Sequence, residues 1–151
     1  MNSEIILTID DGIAYLKVNR PRELNALTRK IVDEMDNAIE LIENNDDVRV
    51  LVIGSDKNFA AGADINSMVE CNPEEARKFT FFETYNKISE LKIPTIAVIE
   101  GYALGGGMEL ALTCDFRIAS QDAKMGFPET TLGIIPGAGG TIRLPRIVGE
   151  S

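Results

Sequence analysis

The stretch TIAVIEGYALGGGMELALT, residues 95–113, decides the fold. Its first five residues, TIAVI, are mostly apolar and β-branched, which is typical of a strand buried on both faces. The run Gly105-Gly106-Gly107 follows, and the apolar residues after it favour a helix. These glycines serve either tight packing or the close approach of a ligand to a helix start. The free N–H groups of a helix start favour an anion or a developing oxyanion.

Further strands and helices are predicted on both sides of this unit. Strands are predicted over Ile5 to Ile9, Ile13 to Val18, Val48 to Ile53 and Asp115 to Ala119. An Asp-Gly turn joins the first two, and the last is predicted to be a core strand. Helices are predicted from the N-cap Thr28 to Ile42, from the N-cap Asp64 to Val69, and from Asn72-Pro73 to Leu91. The alternation of strand and helix indicates an α/β fold with right-handed crossovers.

The composition bounds the class of protein. The chain has 151 residues, 44% of them hydrophobic, which is enough to bury the core of one domain. Its net charge of −9 argues against a nucleic-acid partner or an anionic membrane surface. Cys71 and Cys114 fit no metal or redox spacing, so we expect free, buried thiols in a reducing compartment. With no leader sequence and no membrane span, we expect a cytoplasmic protein.

The chain contains no histidine. A Ser-His-Asp or Cys-His triad and a histidine-based metal site are therefore excluded. Acid–base chemistry near neutral pH must come from carboxylates, tyrosines, lysines or the backbone.

Two glutamates are candidates for that chemistry. Glu109 lies in the first predicted turn after the glycine run and has apolar neighbours. It could complement the helix dipole, or it could point into a dry space, where burial raises the pKa of a carboxyl group. Glu129 also lies among apolar residues. Paired carboxylates can divide the roles of acid and base.

The loop FAAGAD, residues 59–64, is a second candidate for backbone N–H donors. Its small residues would let the backbone pack against a flat ligand, and a helix start at Asp64 would expose further N–H groups. A plain turn from a loop into a helix is the alternative.

Several motifs together resemble the crotonase superfamily, and most closely its short-chain enoyl-CoA hydratases. They occur in order as Asn19-Arg-Pro, Asn25-Ala-Leu, Phe59-Ala-Ala-Gly-Ala-Asp-Ile65, Gly101-Tyr-Ala-Leu-Gly-Gly-Gly107, Glu109-Leu, Cys114-Asp115, Pro128-Glu129, Leu132-Gly133 and Ile135-Pro-Gly-Ala-Gly-Gly-Thr141. The resemblance implies an α/β, ClpP/crotonase-like spiral core of repeated ββα units. It implies that residues 1–151 form the catalytic core without the C-terminal helical trimerisation region, and that the full-length protein is a homotrimer or hexamer.

The resemblance also implies a function. The family's hydratases add water across the C2–C3 double bond of 2-enoyl-CoA thioesters through an oxyanion-stabilised enolate, as in fatty-acid β-oxidation. Coenzyme A is part of the substrate, and no other cofactor or metal is implied. Glu109 and Glu129 match the catalytic glutamates, and Ala63 and Gly106 match the two oxyanion donors. The expected substrate-binding residues are Ala61, Ala63, Asp64, Ile65, Asn66 and Gly106.

Two alternatives stay open at this point. Enoyl-CoA isomerases of the superfamily typically keep an acid at the position of Glu129 but lack the one at Glu109, so the presence of both favours a hydratase. The other alternative is a catalytically incomplete CoA-binding fragment. Asn66 stands where hydratases often carry a lysine beside the CoA adenine or its phosphates, so this contact is expected to differ.

Overall fold

A computed structural model describes residues 3–69, 71–78 and 80–150, so residue 79 of one predicted helix lies outside the description. The strands are β1 Ile5–Asp10, β2 Ile13–Val18, β3 Val50–Gly54, β4 Thr95–Ile99, β5 Tyr102–Leu104, β6 Phe116–Ala119 and β7 Lys124–Gly126. The helices are α1 Arg29–Glu43, α2 Ile65–Val69, α3 Pro73–Lys78, α4 Phe82–Glu90, α5 Gly106–Thr113 and α6 Gly140–Val148. Short 3-10 helices span Pro21–Glu23 and Pro128–Leu132.

The strands form a five-stranded sheet in the order β1-β2-β3-β4-β6 and a two-stranded sheet of β5 and β7. β1 and β2 are an antiparallel hairpin. The turn residues Asp11 and Gly12 have φ of 44° and 77°, the left-handed conformation that an Asp-Gly pair predicts. β2, β3, β4 and β6 pair in parallel, which confirms the predicted α/β arrangement.

Helix α1 covers the sheet as its sequence pattern predicts. The hydroxyl oxygen of Thr28 accepts a hydrogen bond from the Ile31 N–H at 3.2 Å, so the predicted N-cap is confirmed. The apolar residues at helical spacing are at most 2% exposed: Ile31, Val32, Met35, Ile39 and Ile42. Each such side chain contributes about 1.5–3 kcal/mol when it is fully buried. None of the described helices is long and apolar enough to span a bilayer.

Two strand predictions need correction. β3 begins at Val50, not at Val48, because the Val48 N–H bonds to the Asn45 carbonyl in a turn. β6 is not the core strand that its sequence predicts: it is the last strand of the sheet order and pairs with β4. Phe116 and Ile118 are each 60% exposed, because an edge strand has a neighbour on one side only. The apolar composition of a strand does not show whether it lies at the edge of a sheet.

The helix predicted over residues 72–91 is two helices, α3 and α4, separated around Thr80 and Phe81. The Thr80 hydroxyl oxygen accepts from the Phe82 N–H at 3.2 Å, and Arg29 donates to the Thr80 carbonyl at 3.0 Å. The Phe82 N–H and the Thr80 carbonyl are thus bonded to side chains, outside the i to i−4 pattern of a continuous helix. The interruption leaves Phe81 5% exposed, beside the start of α5.

The cysteine thiols are both free, as predicted. Cys114 is buried, and this burial raises the pKa of its thiol to about 11. Cys71 is only half-buried, so its predicted burial is wrong; it lies just beyond the short helix α2. Within the described residues, no group of three or more His, Cys, Asp or Glu side chains could hold a metal ion.

The start of α5 packs directly on backbone. Ala60 is bridged to Ala103 of β5 and accepts a hydrogen bond from the Leu104 N–H at 3.0 Å. A Cβ on Gly107 would lie 2.1 Å from the Ala60 carbonyl oxygen, far inside van der Waals contact. Only glycine therefore allows α5 to lie this close to the segment at residue 60.

We expect Gly107→Ala to lower the free energy of unfolding by about 3 kcal/mol, because backbone must move to admit the methyl group. Urea denaturation of the purified variant measures this change. Gly126→Ala is the matched control, since a Cβ there meets nothing within 4 Å. Its stability should change by less than about 0.5 kcal/mol. Equal stability of the two variants would contradict the close packing at Gly107.

Candidate active site

The helix α5 begins at a glycine with an unusual backbone. Gly105, its N-cap, has φ 51° and ψ −122°, a conformation that a side chain disfavours. Its N–H donates to the Gly126 carbonyl at 2.9 Å, which anchors the helix start to β7. A Cβ on Gly105 would lie 3.0 Å from Oε1 of Glu129. The absence of a side chain therefore lets Glu129 approach the start of α5.

Two backbone N–H groups lie close together at this helix start. Leu27 donates to the Gly62 carbonyl at 2.8 Å and accepts from the Asp64 N–H at 2.9 Å, so it bonds on both sides of Ala63. Because successive N–H groups of an extended segment alternate in direction, the Ala63 N–H points away from Leu27. Gly106 is the first residue of α5, where the helix supplies no acceptor for its N–H. A Cβ on Gly106 would lie 3.8 Å from the Ala63 nitrogen.

A cavity of about 300 Å³ opens beside these amides. It receives six of the residues predicted for the site: Ala61, Ala63, Ile65, Gly106, Glu109 and Glu129. Its wall is otherwise mainly apolar, with Met68, Phe81, Leu132, Ile134 and Ile135 among the lining residues. The arrangement is that of a small-molecule site, apolar with a few polar groups at one place.

Glu109 is buried and held by two amides. It is 3% exposed, and its Oε1 accepts hydrogen bonds from the N–H groups of Ala138 at 2.7 Å and Gly140 at 2.8 Å. Burial raises the pKa of Glu109, and the negative charge of Glu129 adds to the rise. The two amides, and the positive charge of Arg143, act in the opposite direction. The net result is a raised pKa for a carboxyl group that still accepts two backbone hydrogen bonds.

Glu129 presents a different environment. It lies in the 3-10 helix Pro128–Leu132, is half-buried, and lines the cavity. Its Oε2 is buried and has no hydrogen-bond partner among the described residues. Buried polar atoms are normally paired, so an unpaired carboxylate oxygen in a cavity wall marks a place where a ligand could bind.

The remaining predicted site residues, Asp64 and Asn66, are not among the described residues of the cavity wall. The Asp64 carboxylate accepts from the N–H groups of Asn66 at 3.0 Å and Ser67 at 3.3 Å, which confirms its predicted cap on α2. Its other oxygen accepts from Arg20 at 2.6 Å. The hydrogen bond from Arg20 is the main reason that the pKa of Asp64 is lowered. Substrate contact by Asp64 and Asn66 stays a prediction.

The structure adds residues that sequence reasoning missed. Arg143 donates to the Ala138 carbonyl at 2.9 Å and to Asn86 on α4 at 2.6 Å. It therefore holds the carbonyl of Ala138, the residue whose own N–H binds Glu109. Tyr85, fully buried, donates its hydroxyl to the Gly106 carbonyl at 2.9 Å. Nothing in the spacing of these residues along the chain indicates that they meet at this site.

The chain that has this fold and this site is also similar to known sequences. Residues 8–151 match the model of the enoyl-CoA hydratase/isomerase family, and the chain belongs to that family. It is 44% identical to the short-chain-enoyl-CoA hydratase of Clostridium acetobutylicum over 151 residues, which cover 97% of this chain and 58% of that protein. It is 45% identical to the crotonyl-CoA hydratase of Syntrophomonas wolfei, covering 96% of this chain and 57% of that protein.

A solved structure from Legionella pneumophila, described as an enoyl-CoA hydratase/isomerase (crotonase), superposes with a TM-score of 0.90. The identity is 34%, and the match covers 98% of this chain and 59% of that one. The predicted crotonase-like fold is thereby confirmed. The chain spans a little over half the length of the relatives that it matches.

The burial of Glu109 gives stability a pH dependence. Because the pKa of Glu109 is raised above its usual value of 4.5, the folded protein binds the proton more tightly than the unfolded chain does. Ionisation of Glu109 therefore destabilises the fold progressively as pH rises above that value. Glu109→Gln stays neutral and keeps an oxygen for the two amides. We expect its stability relative to wild type to increase between pH about 4 and about 8.

Urea unfolding of both proteins across this range measures the difference. Glu83→Gln, at an exposed position on α4, is the control for the loss of one surface carboxylate. A stability difference between Glu109→Gln and wild type that stays constant with pH would contradict the raised pKa.

Proposed function

We propose that the whole protein adds water across the C2–C3 double bond of 2-enoyl-CoA thioesters, as in fatty-acid β-oxidation, with residues 1–151 as its catalytic core. The observation that supports this function is the meeting of two carboxyl groups and two backbone N–H groups at one cavity. Glu109 and Glu129 line the same space as Ala63 and Gly106. The names of the relatives point to the same reaction.

The two N–H groups are suited to the thioester oxygen. Addition of water at C3 moves electron density onto that oxygen, giving an enolate-like intermediate. Donors that are already in place stabilise this charge without reorganising, and each contributes about 3–4 kcal/mol to the lowering of the barrier. The hydrogen bonds of Leu27 to Gly62 and Asp64 fix the direction of the Ala63 N–H. The start of α5 fixes the direction of the Gly106 N–H.

The two glutamates carry the acid–base work in this proposal. They activate water for attack at C3 and deliver a proton to C2. Glu109 is fixed by two amides, whereas Oε2 of Glu129 has no partner among the described residues. Carboxyl groups in such unlike environments can divide the roles of acid and base. The proposal requires no metal and no cofactor, because coenzyme A belongs to the substrate.

The acyl group would lie against the apolar wall of the cavity. Leu132, Ile134 and Ile135 belong to this wall. Among the described residues that line the cavity, the two glutamates are the only charged ones. At about 300 Å³ the space suits a short acyl chain and its thioester. We also propose that Ala61, Asp64, Ile65 and Asn66 contact the substrate.

We expect the whole protein to hydrate crotonyl-CoA, measured as the loss of enoyl absorbance. Glu109→Gln and Glu129→Gln should each lower kcat by about 10²–10⁴, because each removes a proton-transfer group. The affinity for coenzyme A, measured by calorimetry, should stay near that of wild type. Glu83→Gln, an exposed change on α4, should leave kcat unchanged.

Wild-type protein that binds crotonyl-CoA without turnover would refute the hydratase proposal. A glutamine variant with near wild-type kcat would refute the role of that glutamate alone. Conversion of a 3-enoyl-CoA to the 2-enoyl isomer, without hydration, would identify the protein as an isomerase instead.

Assembly and location complete the proposal. We propose that the whole protein is a cytoplasmic homotrimer or hexamer. Large apolar side chains lie exposed on this chain, among them Phe116 and Ile118 on β6, and Ile142, Ile147 and Val148 on α6. Such surfaces are typical of contacts with further polypeptide. A mass measurement in solution is expected to give three or six copies, and a monomer would refute the proposed assembly.

A further inference from the structure

Tyr85 and Phe81 hold the residue that supplies one of the two amides. The Tyr85 side chain is 0% exposed, and its hydroxyl donates to the Gly106 carbonyl at 2.9 Å. Its ring packs on that of Phe81, with centroids 5.8 Å apart and planes inclined by 47°. A Cβ on Gly106 would lie 3.3 Å from the Phe81 ring. Gly106 is therefore bonded at its carbonyl group, and the Phe81 ring lies beside the position that a side chain on it would occupy.

The hydrogen bond from Tyr85 is additional to those of the helix. Inside an α-helix, the carbonyl of Gly106 accepts from the N–H four residues later, that of Leu110. A carbonyl oxygen has a second lone pair, and the tyrosine hydroxyl occupies it. Burial raises the pKa of Tyr85 well above its ordinary value, and the charge of Glu109 adds to the rise, so the hydroxyl stays protonated and remains a donor.

This bond constrains the orientation of Gly106. The N–H and the carbonyl of one residue diverge from the same Cα, so a bond that fixes the carbonyl limits rotation of the residue as a whole. Glycine otherwise has the greatest backbone freedom of any residue. A donor that stabilises a transition state must be held to within about 0.5 Å and 10–20° of its working position. An unrestrained Gly106 would lose part of that alignment.

We propose that Tyr85 is a positioning residue of the oxyanion pocket: through its hydrogen bond to the Gly106 carbonyl, it aligns the Gly106 N–H with the substrate's thioester oxygen. The inference rests on the proposed function, because it gives the Gly106 N–H its role there. Tyr85 itself does not touch the reacting atoms. Its effect is expected in the transition state, where the charge on the thioester oxygen is largest.

The test is Tyr85→Phe in the whole protein, which keeps the ring and its packing on Phe81 but removes the hydroxyl. With crotonyl-CoA we expect kcat to fall about ten-fold at unchanged KM, less than the 10²–10³-fold loss of removing an oxyanion donor outright. Tyr15→Phe is the matched control, the same chemical change at a 39% exposed position on β2. It should leave kcat and KM at their wild-type values.

Infrared and NMR spectroscopy distinguish a change in the alignment of the Gly106 N–H from a change in the stability of the fold. Butyryl-CoA labelled with ¹³C at the carbonyl binds without being hydrated, and its carbonyl stretching frequency falls when donors polarise the bond. We expect that frequency in Tyr85→Phe to move back toward the value of free butyryl-CoA, and Tyr15→Phe to match wild type. In the ligand-free protein, the amide resonances of Gly106 and Gly107 should shift in Tyr85→Phe alone.

The outcomes distinguish this inference from the proposed function. If wild type fails to hydrate crotonyl-CoA, the hydratase proposal falls, while the carbonyl frequency and the two amide resonances still decide the role of Tyr85. Unchanged kcat, carbonyl frequency and amide resonances in Tyr85→Phe would overturn the inference. A loss of stability with unchanged kcat and carbonyl frequency would overturn it as well, because the hydroxyl would then serve the fold alone.

Discussion

The contact between Gly107 and the carbonyl of Ala60 is the constraint on which the site depends. A methyl group has no room there, since a Cβ would lie 2.1 Å from that oxygen. The contact brings the first turn of α5 against the loop after β3, which is bridged to β5 at Ala60. Three residues further along that segment is Ala63, and one residue before Gly107 is Gly106. Two amides that are distant in sequence thus become neighbours through backbone packing.

The two carboxyl groups illustrate how a protein handles buried charge. An ionised carboxylate moved from water into an apolar space is strongly disfavoured unless it is paired. Glu109 has two amide partners and a nearby guanidinium, and it is still shifted toward protonation. Glu129, at the same cavity, keeps one oxygen without a partner among the described residues. The two carboxyl groups of one cavity thus differ in their bonding: Glu109 is held by two amides, and Glu129 has an oxygen free to bind a ligand.

Local patterns were sufficient for much of the fold and for the candidate acids. Thr28 as a helix cap and Glu109 in an apolar first turn follow from neighbours within a few residues, and the structure places both accordingly. The exposure of Phe116 and the turn of Phe81 toward α5 depend on which elements lie alongside, which composition does not encode. The bond from Arg143 to α4 spans 57 positions of sequence. From the residues alone, the oxyanion role of the loop at 59–64 was only one of two alternatives, and the resemblance to a family favoured it.

The partners of Glu109 include or adjoin two glycines at which a side chain would push neighbouring side chains aside. Gly139 has φ +101°, and a Cβ on it would lie 2.1 Å from a nitrogen of Arg143. A Cβ on Gly140 would lie 2.6 Å from the Phe127 ring and 3.0 Å from Cγ of Glu109. In genetic terms, a missense change at Gly139 or Gly140 would disturb the surroundings of Glu109 while leaving Glu109 itself in place. Mutations in at least three codons can therefore affect this one carboxyl group, and two of those codons specify glycine.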